Sequence, residues 1–458
     1  MKNIKTFQFI ILVFLSITGC KKDFLDRKPS SSILAPKTLA ELQSLLDAPD
    51  RVNLTGALGQ LSGDEYSIIS DQSYNALISA TQRNAYIWKQ NLYEGEKADD
   101  WNTPFQAIFY ANSVLDILKE NEYANTNQAN KIKGWALFIR AYAYFDLSKN
   151  FCKVYNVNTA TSDLGLPLRK SARVDETEKR ASLEDTFRFI LSDLEASASL
   201  LDPSVQPLNK NRPSKAAVWA LRARIYLYLG NYQQSERSAD STLSYHDKII
   251  DFNTVSLSSE TPFSHNADEV IFQSNQIGAY SMTTAVGNRA DIEINPTLYQ
   301  AFTQDDLRKS IYFRTNTIGK INIKRGYLST GLYQFTGLAC DEIYLIKAEC
   351  MARRDQTVSS MEILNKLLIK RFRKTVPYRP VFANSPKEAL SLILLERRKE
   401  LIWRGLRWPD LKRLNRDGEN ISLNRSINGQ AYVLTPNSPR YVFPIPDEEI
   451  NQSLIEQN

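Results

Sequence analysis

The sequence predicts a mainly α-helical protein, a degenerate tetratricopeptide-like helical scaffold with long loop-rich insertions and a few short strands. Two segments, Gly134–Leu147 and Ala216–Leu229, alternate alanines with aromatics, so that small residues admit a neighbouring helix where large ones fill the groove. The second stops at Gly230-Asn231-Tyr232 and resumes through Gln234, Ser235 and Ala239. A further unit runs from Glu342 to Ala352, turns near Asp355-Gln356 and returns from Met361 to Leu368. The spacing between units is irregular, so insertions separate them, and such insertions on a helical scaffold commonly carry the binding surface.

Taken in chain order, the first twenty residues form an export signal. Lys2 and Lys5 precede an unbroken apolar run from Phe9 to Leu15, and Ser16-Ile17-Thr18-Gly19-Cys20 follows. That run is too short to span a bilayer. Gly19-Cys20 after Ile-Thr resembles a bacterial lipobox, in which the thiol takes a diacylglycerol before cleavage, making Cys20 the mature N-terminus. Residues 1–19 are thus expected as a signal peptide, 20–35 as a lipidated tether and 36–458 as one body, with an N-terminal part to about 250 and a C-terminal part from about 251. The several acyl chains of such an anchor hold more firmly than a single myristoyl chain, since each buried methylene adds roughly 0.8 kcal/mol.

The body is globular in composition, with 43% hydrophobic and 24% charged residues among 458. Loss of Lys2 and Lys5 with the signal takes the formal net charge from +6 to +4, too weak a bias to argue for nucleic acid. Beyond Cys20 remain Cys152, Cys340 and Cys350, without a Cys-x-x-Cys pair and with two histidines in the chain, which argues against zinc. Cys340 and Cys350 lie ten residues apart on one helical stretch, about 15 Å and out of disulfide reach, so all three are expected as buried thiols. Neither metal nor cofactor is called for.

Leu39, Leu42, Leu45 and Leu46 share one face of a first amphipathic helix, and a second is expected from about Trp101 to Glu120. Between them, residues 50 to 100 are rich in Ser, Asn, Asp and Tyr without a period, which suggests ordered loops. The segment from about 250 to 335 suggests short strands at Val270-Ile271-Phe272 and from Tyr327 to Phe335. In the C-terminal stretch Glu396 to Arg413, Glu396 and Glu400 stand at helical spacing among basic residues and suggest ion pairs within the helix. Arg407, Trp408 and Asp410 beside Gly405 suggest a buried turn lock in which the planar guanidinium stacks or bonds bidentately.

Several of these segments together resemble the SusD/RagB family of nutrient-binding outer-membrane lipoproteins. The start Cys20-Lys21-Lys22-Asp23-Phe24-Leu25-Asp26 is similar to that family's cysteine followed by Phe-Leu-Asp. Glu342 to Ala352 is similar to its Leu-Ile-Arg-Ala-Glu helix, with Lys347 in the arginine's place. Glu396-Arg397-Arg398 with Gly405-Leu406-Arg407-Trp408-Pro409-Asp410-Leu411 resembles its Glu-Arg-Arg helix and following turn, and Phe443-Pro444-Ile445-Pro446 its closing segment. The resemblance implies a non-enzymatic protein held at the outer membrane by its lipid and facing the cell exterior. It would capture an oligosaccharide, or alternatively a peptide, and deliver it to a SusC-like TonB-dependent barrel transporter. Gly-x-Ser-x-Gly, His-Glu-x-x-His and phosphate-cradling glycine loops are absent from the sequence, which leaves a surface glycosidase as the weaker alternative.

A sugar binder displays aromatics on its loops, because sugar rings stack on Trp and Tyr while Arg, Asn and Asp bond the hydroxyls. Two loop sets meet that requirement: Tyr66, Tyr74, Arg83, Tyr86 and Trp88 in the N-terminal part, and Tyr280, Asn288 and Arg289 in the insertion. Tyr74, Arg83, Trp88, Tyr280 and Arg289 are the expected ligand-binding residues, with Tyr74, Trp88 and Tyr280 as exposed platforms. Taken singly, each is more readily explained by packing, a tyrosine being about twice as often packed as binding, and it is the clustering on two loop regions that lifts the group.

Overall fold

Local sequence sets the helix boundaries. In a computed structural model, which describes residues 36, 38–120, 126–283 and 289–458, ten helices have eight residues or more. They are α1 (Leu39–Leu46), α2 (Asp99–Glu120), α3 (Asn127–Phe151), α4 (Leu183–Leu200), α5 (Lys215–Leu229), α6 (Tyr232–Tyr245), α7 (Cys340–Ala352), α8 (Thr357–Leu368), α9 (Pro386–Glu400) and α10 (Arg407–Arg416). Thr38 begins α1 with a capping box, its hydroxyl accepting from the Glu41 amide at 3.2 Å while the Glu41 carboxylate accepts from the Thr38 amide at 3.0 Å. Ser214 caps α5, and Gly230 ends it in the left-handed region, which a side chain would disfavour. Ser385 caps α9 with Pro386 at the first helical position.

The expected helical pairs are present. α5 packs on α6 and α7 on α8, while α3, buried on nearly every face from Gly134 to Phe151, is flanked by α2 and α4. A helix apolar all round belongs in the middle of a bundle. Bidentate guanidinium pairs tie these helices together in the interior. Arg140 of α3 donates to Asp193 of α4 at 2.7 and 2.8 Å, Arg224 of α5 to Glu342 of α7 at 2.8 and 2.5 Å, and Arg413 of α10 to Glu349 of α7 at 2.6 and 2.9 Å.

Sheet is sparse, as expected: twelve short strands form six two-stranded sheets among the described residues. β1 (Leu54–Thr55) runs parallel to β6 (Asn275–Gln276), β2 (Tyr66–Ile68) antiparallel to β7 (Ile292–Ile294), and β5 (Val270–Phe272) antiparallel to β10 (Leu338–Ala339). β3 (Leu164–Pro167) pairs with β4 (Arg180–Ser182), β8 (Phe313–Thr315) with β9 (Ile321–Ile323), and β11 (Leu423–Ile427) with β12 (Gln430–Leu434). The strand expected over Tyr327–Phe335 is absent; Phe335 makes one isolated bridge to Asn275.

Three sequence expectations need correction or qualification. Residues 50 to 100 are a packed element of the core, with Leu58, Leu61, Tyr66, Tyr86 and Trp88 buried; none of the helices there that end before α2 begins at Asp99 exceeds seven residues, so no period could emerge. The acids of the Glu396–Arg413 stretch pair chiefly across elements. Glu400 accepts from Arg308 at 2.9 Å and Arg371 at 2.7 Å, and Glu396 from Arg308 at 2.6 Å, while Lys399 alone pairs with Glu396 within α9. The expected lock is there but reaches further, since Arg407 forks onto Asp64 at 2.6 and 3.0 Å and buried Trp408 stacks on Phe443 with ring centroids 5.2 Å apart. Cys152, Cys340 and Cys350 are free and buried.

Candidate functional site: an interlocked loop region beside a large groove

The two loop regions singled out from sequence do come together. β2 pairs with β7, and the Met282 amide and Ser281 hydroxyl donate to the Gln82 side-chain oxygen at 3.0 and 3.3 Å. Tyr280 donates its hydroxyl to Asp100 at 2.6 Å, and the other oxygen of that carboxylate accepts from the amides of Ala57 and Leu58 at 2.5 and 2.8 Å. Burial pushes Asp100 up to about 6 in spite of these hydrogen bonds.

This interlocking turns the expected platforms inward. Tyr74, Trp88 and Tyr280 are 8%, 4% and 3% exposed, so their ring faces are not offered to solvent. The reason is that each hydroxyl or indole N–H has an internal carbonyl or carboxylate to bond: Tyr74 donates to the Arg83 carbonyl at 3.3 Å and Trp88 to the Ser62 carbonyl at 3.0 Å. Arg83 donates to the Ile78 carbonyl at 2.9 Å and to that of Leu77, holding a turn that leaves Ile78 almost fully exposed. Arg289 pairs with Asp291 at 2.5 Å and donates to the Ser281 carbonyl. Asn288 and Cys20, with the signal and tether, lie outside the described residues. Sequence reasoning missed Arg425, whose guanidinium lies 3.8 Å from the Tyr86 ring centroid and 4.6 Å from that of Trp88 and locks the aromatic cluster.

Trp88 also stands at the edge of a groove of about 1460 Å³, walled by residues 88–93 and 456–458 and by parts of the segments 153–164 and 437–447. Its backbone is left-handed, at φ 57°. That conformation costs a non-glycine residue about 1–2 kcal/mol, and the indole's internal contacts hold it there. The groove lining includes Lys412, whose ammonium donates to the Lys149 and Cys152 carbonyls at 2.8 and 2.7 Å at the C-terminal end of α3. Burial brings Lys412 down to about 7.

One acidic gathering among the described residues, Glu269, Asp341 and Glu400, has ligand atoms within 4.8 Å of one another. Arg371 bonds both glutamates, at 2.5 and 2.7 Å, and Arg404 bonds Asp341 at 2.5 Å, so these carboxylates already have fixed cations. Burial pushes Glu269 up to about 7 even so. This is an ion-pair hub of the fold.

A scaffold of paired helices carrying long loop-rich insertions and a large groove defines the tetratricopeptide-like fold class. Residues 23–227 match the SusD-like family model described as starch-binding and associating with the outer membrane, and residues 340–458 match that of the SusD family. The chain belongs to the SusD/RagB family. It is similar to SusD-like protein P2 of Formosa agariphila, 23% identical over 98% of both chains. In fold it is similar to a SusD superfamily protein of Bacteroides thetaiotaomicron, 20% identical with a TM-score of 0.73 over 92% of this chain and 100% of the other. It is likewise similar to surface glycan-binding protein A of Bacteroides fluxus, 17% identical with a TM-score of 0.67 over 92% and 99%.

Proposed function

We propose that this protein is a lipid-anchored, outward-facing capture protein of the outer membrane, which binds an oligosaccharide and passes it to a SusC-like TonB-dependent transporter. The observation that carries the proposal is the match of family models to both ends of the body, with a groove too large for a small metabolite between their segments. Small-molecule pockets run to roughly 300–1,000 Å³, so this groove suits an extended oligomer. Chemistry on the ligand falls to other proteins. Of the residues expected from sequence, Trp88 is proposed at the groove edge. Tyr74, Arg83, Tyr280 and Arg289 are proposed as the frame that fixes the neighbouring face.

A glycan array with a peptide pool as control tests the capture role, and unmodified glycan should be recovered from the complex. Binding confined to peptides would replace the oligosaccharide. Co-purification in mild detergent should recover a large barrel in near-stoichiometric amount, and its absence would remove the transfer role. Cys20→Ala should release the protein from the membrane fraction; unchanged retention would exclude the lipid anchor.

A further inference from the structure

We infer that the groove beside Trp88 is itself the ligand site and that it takes an uncharged glycan segment. This rests on the glycan-capture role proposed above and assigns it a place and a chemical class. Neutral amides are the groups left available along the walls. The side chains of Gln90 and Asn91 and the amide nitrogen of Asn156 make no hydrogen bond within the described residues, and all three residues are exposed. An amide offers two donors and an acceptor in one plane, which suits the alternating hydroxyls of a sugar. The edge beside them is rigid, because Trp88 is fixed by its bond to Ser62 and by the Arg425 guanidinium.

Each cation at the groove already has at least one partner. Lys153 pairs with Asp163 at 2.7 Å, Lys89 with Glu94 at 2.5 Å and Arg416 with Asp417 at 2.7 Å. Lys412 is held on two carbonyls, and the Arg440 guanidinium donates to that of Val433 at 2.6 Å. Asp447 is exposed and has no ion pair within the described residues. A sulfated or uronate-containing chain would therefore have to compete with the carboxylates already paired to these cations and approach an unpaired one. A neutral chain would meet amide hydrogen-bonding groups and apolar wall such as Leu92, Val154 and Pro439, against which the C–H faces of sugar rings can lie.

Calorimetric titration of the full mature protein with neutral hexasaccharides (cello-, xylo-, manno- and malto-) and with sulfated and polyuronate hexasaccharides decides the matter. At least one neutral probe should bind, with an affinity unchanged when salt is raised to about 0.5 M, where screening shortens to a few ångström. Asn91→Ala with Asn156→Ala should weaken that binding at least about tenfold with an unchanged melting temperature, and Ser162→Trp, which fills the groove from its rim, should weaken it as much. Neutral-glycan binding untouched by both variants would move the site elsewhere and leave the capture role standing. Preference for an anionic probe with salt-sensitive affinity would overturn the chemical class. Binding of no glycan at all, with peptides bound instead, would remove the underlying role.

Discussion

At the residue scale, tyrosine shows where sequence stops being informative. A tyrosine offers a ring to a ligand and a hydroxyl to the interior, and the choice depends on acceptors distant in sequence. Tyr280 turns inward because Asp100 waits for its hydroxyl, and neither residue announces the other. Tyr280→Phe should cost roughly 1.5–3 kcal/mol in urea denaturation, as expected for a lost hydrogen bond to a buried charged acceptor. A loss near zero would mean that the carboxylate is satisfied without it. Trp408 was legible from its motif as a buried residue, and it stacks on Phe443 and against Tyr441 while its Cβ meets Gly59. Trp408→Ala should cost about 3–5 kcal/mol of stability through lost packing and cavity formation, read as an earlier thermal midpoint.

At the element scale, the long helices were readable because many residues repeat one period, and α3, α5 and α7 follow the expected segments closely. The 50–100 stretch was not, since its short helices and strands are specified by partners such as β6 and β7 that come from the insertion. Charge was misread for the same reason. Spacing within α9 suggested local pairs, whereas fixed guanidinium forks join helices far apart in the chain. Arg224 and Glu342 are one such tie between α5 and α7; burial favours the uncharged acid, but Arg224 outweighs it and holds Glu342 below its usual range. Arg224→Met should strand that carboxylate and cost about 3–5 kcal/mol. Adding Glu342→Gln should restore part of the loss, and a double-mutant cycle in urea measures the coupling. Additive losses would show that the two side chains act independently.

At the scale of the whole molecule, the family was legible because its motifs are scattered along almost the entire chain, while the groove was not, because its walls are assembled from segments at opposite ends. The interior that brings those segments together also carries acids that burial drives toward their neutral form, and this gives the fold a pH signature. Asp100 sits at about 6, whereas an unfolded aspartate titrates near 3.9. Between about pH 4 and 6 the folded chain keeps a proton that the unfolded chain has released, so its contribution favours folding less as pH rises and stops changing above about 6. The shift corresponds to roughly 3 kcal/mol across that window. Asp64 and Asp410 have the opposite sign. Burial raises them, but Arg407 and Arg398 around Asp64, and Arg397 and Arg413 around Asp410, outweigh it and hold both at about 2. Their stabilisation is complete above about pH 4 and is lost as pH falls toward 2, outside the window of Asp100. Asp100→Asn removes the titrating group and keeps an acceptor for the Ala57 and Leu58 amides. Urea midpoints measured from pH 4 to 7 should therefore fall less steeply in Asp100→Asn than in the wild type, with the two curves converging toward pH 4. Parallel curves would show that Asp100 titrates alike in the folded and unfolded chains, and that its burial does not carry the proton linkage.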